Sequence, residues 1–209
     1  IPWPADAAQK GGHKKFMHKE IHEQPDAIRA CLAGRLSDAD KPVTFENIGL
    51  SVEEIKNLKK VVFTACGTAF HAGCVGRFLM DKLARIPAEA DLAAELQQRD
   101  PVVLDNTLCV IVSQSGETAD TLEGLRAMKS KGAKAIGVIN VVDSSIARES
   151  DGVAYIQAGP EIGVASPQAY TLQGLTITLL AIAHPESRGT PSPEALRKPK
   201  AALPKLPEH

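Results

Sequence analysis

Ser113, Gln114, Ser115, Gly116, Glu117 and Thr118 follow directly on the apolar run Leu108–Val112. Three hydroxyls and a carboxamide around one glycine are neutral hydrogen-bond donors, and no lysine stands among them. A helix beginning near Thr118 or Ala119 would point its free N–H groups and the positive end of its dipole back at this cluster. Such a loop holds a single phosphate by dipoles. A loop for a nucleoside triphosphate needs G-x-x-x-x-G-K-[ST], with a lysine and a magnesium-binding hydroxyl, and that pattern is absent. The bland alternative is that serine and threonine only cap a helix. One hydroxyl suffices for that, so four polar side chains around a glycine favour binding. Gly116 would let backbone come close to a ligand.

Two more loops have the same character. "ACGTAFHAG" spans residues 65–73, and "AGPEIGVAS" spans residues 158–166 and leads into an apolar helix. Alone, each is explained by a tight turn and a cap. Together, at neighbouring strand ends, they describe a binding cleft, because ligands of open parallel sheets sit at the carboxyl ends of strands where chain direction switches. "GTAFHAG" is not G-x-G-x-x-G, which argues against a dinucleotide. The three loops therefore frame the expected cleft, with Ser113, Gln114, Ser115 and Thr118 as its polar donors.

The elements that must position these loops alternate strand and helix. "KKVVFTAC", the start of "PAEADLAAEL", "TLCVIVS", "AKAIGVIN" and "GVAYIQA" read as five strands. "TAFHAGCVGRFLMDKLARI", "TADTLEGLRAMKSKG", "SSIARES" and "SPQAYTLQGLTITLLAIA" read as helices between and after them, the second stopping at Gly132. Continuous apolar strands alternating with helices predict an α/β fold, a five-stranded parallel sheet covered on both faces. Ser51 with Glu54 three residues on predicts a capping box. Residues 1–12 read as a linker, residues 13–50 as a helical lead-in with a break or kink at Pro25, and residues 51–184 as the domain. Residues 185–209 hold six of the 14 prolines and read as an extended or poorly ordered tail.

Composition bounds the function. The 209 residues are 44% hydrophobic and 23% charged, an ordinary globular balance, and only 4% aromatic, so aliphatic side chains must fill the core. A formal net charge of −1 gives no basic surplus for nucleic acid and no general attraction to acidic membranes. Cys31, Cys66, Cys74 and Cys109 form no C-x-x-C pair, which points to reduced thiols in a cytoplasmic protein. No apolar run reaches membrane-spanning length, and no signal peptide is recognised. The chain opens "IPWPADAAQKGG" without a methionine, as a piece of a longer protein would.

Several tempting residues read as bystanders. His18 and His22 stand four apart, as metal ligands on a helix do, but a zinc protease wants H-E-x-x-H and Glu20 lies between them. A polar helix face is the simpler reading, with no metal expected. His71 reads as helix packing, Cys66 as a backbone contact, and Glu117 and Glu161 as groups that cap helices or hold loops. No catalytic residue is assigned, and no cofactor is called for.

"ACGTAFHAG", "SQSGETADTL", "NVVDSSIARESD" and "AGPEIGVAS" resemble the first sugar-isomerase (SIS) lobe of the glutamine–fructose-6-phosphate aminotransferase, or glucosamine-6-phosphate synthase, family. "FMHKEIHEQPDAIRACLAGRL" resembles the segment leading into that lobe, so the likeness covers roughly residues 10–184. It implies a flavodoxin-like three-layer α/β/α sandwich. Residues Ser113, Gln114, Ser115 and Thr118 then match the positions that hold the phosphate of fructose 6-phosphate. Cys66, Gly67 and Thr68 match a loop along the sugar, and Val164 and Ser166 match contacts from the third loop. Ala69 replaces a usual serine, and Pro167 and Gln168 replace a common "TK" pair. The family's parent reaction makes glucosamine 6-phosphate from fructose 6-phosphate and glutamine. The resemblance implies partners in cis, a second SIS lobe with the imine-forming lysine and proton-transfer glutamate and a glutaminase domain, and a homodimer. None of those catalytic groups maps onto this chain, so the lobe alone is expected to be inactive. The rival readings are a non-catalytic sugar-phosphate sensor and a structural dimerisation lobe.

Overall fold

The computed structural model describes residues 9–163, 165–189 and 193–208. Five parallel strands form one sheet: β1 (Lys60–Ala65), β2 (Ala88–Leu92), β3 (Thr107–Ser113), β4 (Lys134–Ile139) and β5 (Gly152–Tyr155), in the order β2-β1-β3-β4-β5. β3 is buried along its whole length. Its alternate residues serve two cores, as a period of two requires. Leu108, Val110 and Val112 join one apolar cluster with the helices α1 (Phe16–Leu32), α3 (Gly67–Leu79) and α7 (Pro167–Arg188). Cys109 and Ile111 join the other, with α4 (Ala93–Arg99), α5 (Ala119–Ser130) and α6 (Ser145–Glu149). The result is the expected three-layer α/β/α sandwich.

Local signals read in the sequence have clear counterparts. Ser51 caps the short α2 (Val52–Asn57) in a complete capping box with Glu54. α5 ends in a turn through Gly132, whose φ is +91°. α3 is prolonged by one π turn, Met80–Ala84, before the chain reaches β2.

The prolines behave differently from expectation. α1 runs unbroken through Pro25. Proline frees the carbonyl four residues back, here that of Ile21, an exposed position where water can solvate it. The tail is not extended over residues 193–208: it forms α8 (Pro193–Ala202), with Pro199 inside it, and a 3₁₀ segment, Leu203–Glu208. α7 itself passes Pro185 and ends only at Gly189, in the left-handed conformation. Burial offsets the proline cost. Leu196 and Leu203 are buried, and buried Lys200 pairs with Glu186 of α7 at 2.6 Å. Residues 1–8 of the expected linker lie outside the described residues.

Candidate functional site

From β1 the chain crosses one way to β2, then returns to the other side of β1 as β3. The loops after β1 and β3 therefore diverge, and the carboxyl ends of these two strands form the switch point of the sheet. A cleft of ≈ 440 Å³ opens there. Cys66, Gly67, Thr68 and Ala69 line it from the start of α3, and Ser113, Gln114, Ser115 and Thr118 from the loop before α5. Ser166, Ala169 and Gln173 close it from α7. Every predicted residue that the structure describes is thus on this one cleft, while Val164 lies outside the described residues.

Three helix starts meet at the cleft. α3 begins behind Cys66 and α5 behind Thr118, and neither residue's side chain caps its helix. The hydroxyls do something other than capping. Ser113 Oγ accepts the Gly116 N–H at 3.0 Å and lies 3.4 Å from Thr118 Oγ1, and Ser115 Oγ accepts the Glu117 N–H at 3.2 Å. A hydroxyl that accepts through a lone pair keeps its own proton to donate. The loop is therefore braced largely by its acceptors: within the Ser113–Thr118 pair one hydroxyl donates to the other, and the second proton, with that of Ser115, remains for an anionic ligand.

Gly116 has a different role from the one its sequence suggests. It is buried, at φ +68°, and a Cβ there would lie 2.0 Å from Ser144 Oγ and 2.6 Å from Ser144 Cβ. The close approach is to Ser144 at the start of α6, not to the cleft. Glu117 strengthens the same contact: its carboxylate accepts the Ser145 N–H at 2.7 Å, which holds its pKa below the ordinary carboxylate value. Backbone bonds from Asn140 N to Gln114 O and from Ile146 N to Gly116 O complete the brace.

The third loop is held from further away. The buried side chain of Asn140 donates to Gly159 O at 2.7 Å and accepts from Ala158 N at 3.0 Å. Glu20, a buried residue of α1, accepts from Ile162 N at 2.7 Å and Gly163 N at 2.8 Å. Glu161 accepts from Gln168 N and Ala169 N at 2.9 and 3.1 Å, and so caps α7. Burial raises the Glu161 pKa against the pull of those N–H groups, and the nearby charge of Glu20 raises it further. Ser166 adopts a left-handed φ of +47° where the loop turns into α7.

The histidines stay apart from the cleft. His71 is exposed on α3, its ring 5.7 Å from that of Phe70. His18 and His22 join His13 on the surface, with ring nitrogens 3.1 and 3.2 Å apart. His18 uses Nδ1 toward His13 and Nε2 toward His22, on opposite sides of its ring, and among the described residues no group of three such ligands could hold a metal. Ala69 lines the cleft without a hydroxyl, and the Gln168 side chain is buried outside its lining. Sequence reasoning missed Thr121, whose hydroxyl donates to Cys66 Sγ at 3.6 Å across the cleft base, and Gln173. Thr121 and Gln173 sit inside helices, and only the way those helices face the sheet brings them here.

The fold and the cleft define a flavodoxin-like α/β sandwich with a polar site over its β1/β3 switch point. The chain belongs to the SIS domain family, whose model matches residues 54–183. It is 49% identical over 208 residues to a glutamine–fructose-6-phosphate aminotransferase (isomerizing) of Clostridium acetobutylicum and 50% identical over the same length to that of Symbiobacterium thermophilum. In both cases the whole of this chain is covered, but only 34% of the relative. Among solved structures, the C-terminal domain of glucosamine-fructose-6-phosphate aminotransferase from Francisella tularensis superposes with a TM-score of 0.90 at 34% identity, covering 96% of this chain and 56% of that one. The chain thus spans about a third of the length of the curated relatives it matches.

Proposed function

We propose that the cleft binds fructose 6-phosphate, and that the chain is the first SIS lobe of the isomerase half of a glutamine–fructose-6-phosphate aminotransferase. In this reading Ser113, Gln114, Ser115 and Thr118 hold the phosphate, with the N-terminus of α5 behind them. Cys66, Gly67, Thr68, Val164 and Ser166 run along the sugar. The observation that carries the reading is the set of donors at Ser113–Thr118 facing a cleft where two helix N-termini lack side-chain caps. Their neutrality suits one phosphate monoester, whose charge the dipoles offset.

The relatives are about three times as long as this chain, which supports a longer parent protein; in this reading that parent carries a second SIS lobe and a glutaminase domain and works as a homodimer. The four free cysteines, two of them buried, accord with a cytoplasmic setting. The role of this lobe is to fix the phosphate end of the substrate. The covalent and proton-transfer steps belong to groups outside this chain, so the lobe by itself makes no glucosamine 6-phosphate.

Calorimetric titration with fructose 6-phosphate tests the reading. Each hydrogen bond to a charged phosphate contributes about 1.5–3 kcal/mol. Ser113→Ala and Thr118→Ala should each weaken binding by about tenfold or more, since a decade is about 1.4 kcal/mol. Inorganic phosphate should compete, and Ser37→Ala, remote from the cleft, should bind like the parent. Variants at 113 and 118 with parental affinity would reduce those hydroxyls to loop bracing.

A further inference from the structure

We propose that Gln173 is a specificity-determining contact of the cleft, its carboxamide oxygen accepting a hydrogen bond from a hydroxyl of the bound sugar; this rests on the phosphosugar reading above. Gln173 lies on α7 in one stripe with Ser166 and Ala169, at the spacings of three and four that share a helix face. All three line the cleft. The Gln173 side chain is only 1% exposed, and its Oε1 has no hydrogen-bond partner among the described residues. Buried acceptors are nearly always satisfied; this oxygen lies beneath the surface of a residue that lines the cleft, and a turn of its terminal amide would present it to a donor there.

The surroundings restrict where that donor can come from. Val112, Ala69 and Ala169 line the same cleft and offer no side-chain hydrogen bond. Thr121, at the cleft base, already gives its proton to Cys66 Sγ, and neither the Thr68 nor the Ser166 hydroxyl bonds the Gln173 oxygen. The remaining source is whatever occupies the cleft. An ionised phosphate presents acceptor oxygens to the donors at Ser113–Thr118 and cannot serve an amide oxygen. A sugar hydroxyl is a donor and can. Gln173 therefore reads the sugar end of the ligand, while the loop before α5 reads the phosphate end. A phosphorylated ligand without a hydroxyl in reach leaves the buried oxygen unpaired, which is how a site built for an OH rejects an analogue lacking one.

The test compares two ligands on the full 209-residue chain by calorimetry: fructose 6-phosphate and inorganic phosphate. Gln173→Met keeps length and volume but removes the acceptor. It should weaken fructose 6-phosphate about tenfold or more, equivalent to about 1.4 kcal/mol, and shift inorganic phosphate by less than about twofold. Gln173→Asn keeps an amide but withdraws it by one carbon, and it should lose the same selectivity; it serves if the methionine variant does not fold. Equal weakening of both ligands, or parental affinity for fructose 6-phosphate in either variant, overturns the assignment of Gln173 and leaves the phosphate cradle standing. A parent chain that binds neither ligand removes the phosphosugar reading itself, and this inference with it.

Discussion

The loop before α5 and the loop before α7 border the same cleft but are held in opposite ways. Residues 113–118 brace themselves: Ser113 and Ser115 accept N–H groups three and two residues ahead, respectively, and Glu117 reaches Ser145 at the next strand end. Residues 158–166 depend on side chains from elsewhere, Asn140 at the end of β4 and Glu20 of α1, which is 142 residues away in sequence from Ile162. The first loop is a local device that the domain core alone can form. The second is tied to the lead-in helix as well, through Glu20. The lead-in segment thus belongs to the site's framework.

Substitution at Gly116 should do most to break the comparison. Gly116→Ala places a Cβ against Ser144 and forces an alanine into the left-handed region. The left-handed backbone costs roughly 1–2 kcal/mol and overpacking about 1–3 kcal/mol. Thermal or urea denaturation should register the sum, about 2–5 kcal/mol. A loss below about 1 kcal/mol would mean that the self-braced loop tolerates movement and is not the rigid half.

Removing Glu20 should have the next largest effect and sharpen the contrast. Glu20→Ala leaves the Ile162 and Gly163 N–H groups without their acceptor. A hydrogen bond to a charged carboxylate is worth about 1.5–3 kcal/mol, and less at half-exposed positions such as these, where water can replace the acceptor. Amide exchange should quicken across residues 158–169 and stay slow in 113–118. Equal quickening in both loops would show that they are one unit, and the distinction would fall.

Glu161 should give the smallest effect, with a sign that depends on pH. Its folded pKa is raised above the unfolded value, chiefly by burial. The linked stability is therefore fully present below the unfolded pKa and is lost as pH rises through the folded one. Glu161→Gln keeps an acceptor for the α7 N–H groups and removes that loss. It should match the parent near pH 4 and equal or exceed it at pH 7. Glu161→Ala removes the cap and should cost about 0.5–2 kcal/mol at either pH. Urea midpoints at the two pH values distinguish these outcomes.

The same contrast explains what was legible in the sequence. The five strands, the helices between them, the Ser51–Glu54 box and the hydroxyl loop are written in short-range patterns, and each has its counterpart in the fold. Glu20 was legible only as part of a decoy histidine pair, since nothing near it in sequence says that it faces residue 162. Gln173 was missed, because its meaning comes from the face α7 turns to the cleft. Gly116 was read as the point where backbone comes close to a ligand, whereas its close neighbour is Ser144. The prolines misled for a related reason: whether a proline breaks a helix depends on what its burial partners offset, and Leu196, Lys200 and Leu203 find theirs on distant elements.

Amide chemical-shift mapping during titration with fructose 6-phosphate tests the central claim most directly. The cleft account predicts saturable shifts clustered at residues 66–69, 113–121 and 166–173, largest for the N–H groups of the 113–118 loop and the first turn of α5. Shifts clustered instead in the cavity between residues 39–42 and α8, or an absence of saturable shifts at 113–118, would contradict it.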